Sequence, residues 1–150
     1  LGMAAAGRQV QRFLELQPDA GNGPLEDRVA RYSEGLARLL EETMHVRWAV
    51  FMHPDANWSG ARVVRGAVDF TRQRLIEAFA PELESLDDET RDELLDALEL
   101  EADPVVWRMR RVQQELTSDE ALEVLRRTML ALLRDAVRAP LAAGQLSAQA

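Results

Sequence analysis

Val105-Val-Trp-Arg-Met-Arg-Arg-Val-Gln-Gln-Glu-Leu-Thr-Ser-Asp-Glu-Ala-Leu-Glu-Val-Leu-Arg-Arg-Thr-Met-Leu-Ala-Leu-Leu133 reads as the end of one helix, a tight connection and a capped final helix. Thr117 and Glu120 stand three apart, the spacing of a capping box, in which each side chain accepts from the other residue's backbone N–H. Behind the box, Leu122, Leu125, Met129, Leu132 and Leu133 recur at helical spacing. They carry more apolar surface than one neighbouring helix needs, so they are the expected dimer contacts.

Working outward, apolar positions keep a period near 3.6 along almost the whole chain, and no alternating window reads as a strand. Val10, Phe13 and Leu14 mark a first helix that ends near Leu16. Pro18, Gly21, Asn22, Gly23 and Pro24 form a loop of turn residues. Leu25, Val29, Tyr32, Leu36, Leu39 and Leu40 give the second helix its stripe. Glu41 to Met52 either extends that helix or forms a separate short one, and His53-Pro54 breaks it. A long helix follows through Val63, Val64, Ala67, Phe70, Leu75 and Phe79, ended or kinked by Pro81. Asp87 and Asp88 open the next helix, in which Pro104 is an interior kink. The final helix spans about 118–138, stopped by Ala139-Pro140, with 139–150 as a flexible tail. The expectation is an all-α bundle of five to seven helices over residues 1–138.

The chain has 150 residues, 47 % of them hydrophobic, enough for one domain with a real core. With 29 % charged residues and no long apolar run, no membrane contact is expected. The absence of cysteine removes disulfides and thiolate metal sites and fits a reducing compartment, although many exported proteins also lack cysteine; the location expected is cytoplasmic. All basic residues are arginine, yet the formal net charge is −8. A segment this acidic is repelled by phosphate backbones and should not itself touch nucleic acid.

The aromatic–basic segment Trp107, Arg108, Arg110 and Arg111, the short joint and the Leu-rich last helix, taken in their order, resemble the C-terminal part of TetR/AcrR-family transcriptional regulators. The resemblance implies an all-helical effector-binding domain whose last two helices form a homodimer. It also implies an N-terminal helix-turn-helix module that does not appear in this sequence. Residues 1–17 would match the connecting helix that leads out of that module, and operator DNA would be bound only through it. Leu1 in place of an initiating Met, with no basic or apolar leader after it, favours a fragment of a longer protein, with Met3 as a natural start the competing reading.

Met44, Trp48, Phe51, Met52, Trp58 and Phe70 concentrate in the middle third, joined by Trp107 and Met109 from the kinked helix. Large, polarisable side chains suit an adaptable apolar pocket, and the resemblance puts an effector cavity among the middle helices. His45 and Arg47 are the first polar groups expected to orient a small apolar effector. Ordinary core packing competes for each apolar residue, and a solvated helix face for each polar one.

Catalytic chemistry finds little support. Glu42-x-x-His45 is a single motif where carboxylate-bridged metal bundles need two plus further Glu residues. No serine lies in a nucleophile elbow, and no Gly-rich phosphate loop is present. Neither an enzyme nor a cofactor is expected. Arg108, Arg110, Arg111, Arg126 and Arg127 are interleaved with acids and read as surface pairs or interface rim. The expected function is a ligand-responsive regulator, most simply a repressor. A helical protein-interaction module is the alternative.

Overall fold

The computed structural model describes residues 8, 11–53 and 59–148. Residues 11–15 are helical (α1). They are followed by α2 (Leu25–Met52), α3 (Ser59–Ala78), α4 (Ala80–Glu84), α5 (Asp88–Glu101) and α6 (Pro104–Arg108). A π turn (Met109–Gln113) continues α6, and α7 (Ser118–Ala148) closes the chain. Among the described residues there is no strand, so the fold is all-α.

The hub is α2, an unbroken helix of 28 residues, so Glu41 to Met52 extends the second helix. Its buried face, with Val29, Tyr32, Leu36, Leu40 and Met44, recurs every three or four residues, and no proline interrupts it before His53-Pro54. This face packs against α6, α7 and α3, while α5 packs against α7 and α3. The shared core joins Leu36 and Leu40 to Leu75, Phe79, Leu98, Trp107, Leu125 and Met129. Each such large side chain contributes about 1.5–3 kcal/mol by leaving water. Gly35 permits one close approach: a Cβ there would lie 3.0 Å from the Pro18 Cα.

The loop before α2 is held from the helix itself. Arg31 donates through Nε to the Ala20 carbonyl at 2.7 Å and through its guanidinium to the Asn22 carbonyl. Gly21 and Gly23 have φ of +62° and +115°, values that favour glycine. Arg28 pairs with Glu82 of α4 and also donates to the Gly23 carbonyl at 2.9 Å and the Ala78 carbonyl at 3.1 Å. The Glu82 hydrogen bond raises the Arg28 pKa against the opposing effect of burial.

The helix junctions follow local chemistry. Asp87 caps α5 by accepting from the Thr90 N–H at 2.8 Å. The capping box of α7 is formed from both sides, Thr117 N–H to Glu120 at 2.8 Å and Glu120 N–H to Thr117 Oγ at 3.2 Å. Pro104 is not an interior kink. Helix α5 ends at Glu101, Asp103 accepts from the Val105 N–H at 2.7 Å, and Pro104 opens α6 where its missing N–H costs nothing. Nor does Pro140 stop α7, which runs to Ala148.

The expected dimer stripe needs correction. Leu125, Met129 and Leu133 are fully buried in the chain's own core, and Leu122 and Leu132 are half-buried against it. The stripe looked excessive for one neighbour because α7 packs against α2, α5 and the π turn.

Candidate functional site

The C-terminal half of α2 meets α6, and there apolar, aromatic and charged side chains come together. Trp48 stacks with Phe51 on α2, ring centroids 5.5 Å apart and planes 28° from parallel. The Arg108 guanidinium of α6 lies over the Trp48 ring, 4.2 Å from its centroid. Such a cation–π contact gains strength as it is desolvated. One residue before Trp48, Arg47 is largely buried and lies 4.0 Å from the Asp103 carboxylate at the head of α6. Burial pulls the Arg47 guanidinium below its ordinary pKa, and Asp103 pushes the other way.

Two further ion pairs frame this junction. Arg110 of the π turn pairs with Glu101 at 2.6 Å, both nearly out of solvent. Arg111 pairs with Glu41 of α2 and donates to the Leu116 carbonyl at 2.6 Å. The next residue, Glu42, receives two hydrogen bonds from Arg12 at 3.0 and 3.1 Å. Glu41 and Glu42 therefore tie the π turn and the segment around α1 to adjacent positions of one helix. Phe13 adds a second tie from the α1 side, its ring 6.1 Å from that of Phe70 on α3.

The sequence-derived site residues thus separate into groups. Trp48, Phe51 and Arg47 gather at the α2–α6 junction. Met44 and Trp107 lie in the core. Met52 and Met109 are exposed, as is His45. Phe70 is half-buried against Phe13. Trp58 falls outside the described residues. Sequence reasoning passed over Arg108, Asp103 and Arg110 as site residues. Arg110 follows Trp107 by three positions and so could have been placed on the inward side; the π turn that sets its reach left no mark in the sequence.

Elsewhere, a small pocket of about 100 Å³ lies between Pro18–Gly21 and Arg74, Glu77 and Ala78. It is smaller than the roughly 300–1,000 Å³ of ordinary small-molecule sites. Among the described residues no group of three or more His, Asp or Glu side chains is placed to hold a metal ion, and Glu42 is engaged by Arg12. No helix among them is long and apolar enough to cross a membrane. Comparisons with protein-family models, with curated proteins and with solved structures found no match.

Proposed function

We propose that this chain is the effector-binding and dimerisation segment of a ligand-responsive transcriptional regulator of TetR/AcrR type, acting as a cytoplasmic repressor. The observation that carries this is the α2–α6 junction, where Trp48 contacts both Phe51 and the Arg108 guanidinium. An apolar body can pack on the aromatic pair while a polar end is oriented by arginine. The adjacent Glu41 and Glu42 pairs supply a path from this junction to the α1 segment. By the resemblance, that segment leads to a DNA-binding head.

In this proposal the work is differential affinity. An effector that favours one packing of α2 on α6 shifts the spacing of two heads across a homodimer. Half-sites one DNA turn apart, roughly 34–36 Å, punish small changes in that spacing. The homodimer is proposed to use what α7 and the π turn leave outside the core, including Val124 and Val112, both exposed. A stable interface of this kind buries about 1,200 Å² or more in total.

The test is a library of small apolar compounds read by tryptophan fluorescence and melting temperature. Trp48→Ala should weaken the response of any hit about tenfold or more while leaving the dimer mass unchanged. A hit whose affinity ignores this substitution moves the site elsewhere. An adaptor role is favoured instead by Phe51 and Met52, 61 % and 54 % exposed at the end of α2. It becomes the better proposal if no compound in the library moves either signal.

A further inference from the structure

Among the described residues, every buried side-chain polar atom without a hydrogen bond is a nitrogen donor: Arg74 Nε, Trp107 Nε1, Arg108 Nε and Arg110 Nη1. Three of these four fall within residues 107–110, about one turn of backbone where α6 passes into the π turn. Trp107 is fully buried and Arg110 is 8 % exposed, so bulk water does not reach these donors freely. Folded proteins rarely leave buried donors unanswered, and π turns recur at functional sites.

The charges point the same way. Arg47 faces Asp103, Arg110 faces Glu101 and Arg111 faces Glu41. Arg108 has no carboxylate partner among the described residues and lies over Trp48 instead. Among the described residues, four arginines at this junction therefore face three carboxylates, in a chain whose formal net charge is −8. Among those residues the cation without a carboxylate is Arg108, beside an aromatic pair.

Building on the effector role proposed above, we infer that the ligand of this junction is a monocarboxylate with an apolar body. Its carboxylate accepts from the donors of α6 and the π turn, Arg108 first, while its body packs on Trp48 and Phe51. A guanidinium presents paired N–H groups that match a carboxylate. A single excess charge suits a monoanion. A phosphate dianion would bring a second negative charge among Glu41, Glu101 and Asp103.

The experiment compares matched ligands on the whole 150-residue chain. Octanoate and phenylacetate are titrated against 1-octanol and 2-phenylethanol, with octyl phosphate as a third arm, by calorimetry and tryptophan fluorescence. We expect at least one acid to bind about tenfold or more tightly than its alcohol. Arg108→Gln should erase that difference, the acid then binding no more tightly than its alcohol. Arg108→Lys, which keeps the charge but not the fork, should retain part of it, and melting curves show that each variant is folded. Equal affinity for acid and alcohol overturns the carboxylate assignment while leaving the effector role intact. So does an acid affinity unchanged in Arg108→Gln, or tighter binding of the phosphate. Silence from every acid overturns it too, and the effector role is then judged by the broader apolar library alone.

Discussion

At the scale of single residues, Glu115 is the one described non-glycine with positive φ, +55°. It sits in the joint between the π turn and α7, where the Leu116 N–H donates to the Arg110 carbonyl at 3.0 Å to close the turn. A left-handed position after a helix is ordinarily given to glycine, because a Cβ there crowds the carbonyl. Glu115→Gly should therefore stabilise the protein by about 0.5–1 kcal/mol, read as a rise in the chemical denaturation midpoint. The opposite is expected at Glu82. Its carboxylate answers a guanidinium that is itself almost out of solvent, so removing the carboxylate strands a buried charge. Glu82→Gln should cost about 3 kcal/mol, and an unchanged midpoint would mean that Arg28 finds water instead.

At the scale of elements, the two acidic caps make a pH prediction. Backbone and side-chain hydrogen bonds from Thr90 hold the Asp87 carboxyl below its ordinary pKa, and those from Thr117 do the same for Glu120. A lowered folded pKa stabilises the fold in full above the ordinary value. That contribution disappears as pH falls through the ordinary and then the lowered value. The melting temperature should therefore drop as the buffer is taken from about pH 5 to pH 3, and Glu120→Ala should flatten part of that drop. Thr117→Ala, at neutral pH, should cost about 1 kcal/mol. The Thr117–Glu120 box was legible because its partners are neighbours in sequence, whereas Asp87 was legible only as an acidic helix start and its bond to Thr90 came from the structure. Pro104 was harder, since a proline inside an apolar period and a proline opening a new helix look alike until Asp103 is seen to cap. The π turn was not legible, since it depends on how α6 packs against α2.

At the scale of the whole molecule, the fate of the last helix separates core from interface. Leu125→Ala should cost about 2–5 kcal/mol and lower the melting temperature at every protein concentration, because Leu125 completes the chain's own core. Val124→Asp, one residue away and exposed, should leave the isolated fold nearly unchanged and shift the mass in light scattering from dimer to monomer. A monomeric wild type at micromolar concentration would remove the dimer proposal. The net charge of −8 predicts no saturable, sequence-selective DNA binding by this segment alone, measurable by titration with labelled operator DNA at moderate salt.

The sequence by itself determined the all-helical class, the inward stripe of α2, and the starts of α5 and α7. Each of these rests on periodicity or on contacts within one turn, and both are written locally. Only the tertiary structure decided which apolar stripe is core and which surface is left over. A stripe records how much area is hydrophobic, not how many neighbours will cover it, and α7 is covered by α2, α5 and the π turn. The same holds for the candidate site. The middle-third aromatics and methionines were visible as a composition. Trp48 met Arg108, and Arg47 met Asp103, only when α6 folded back against a helix some sixty positions earlier in the chain.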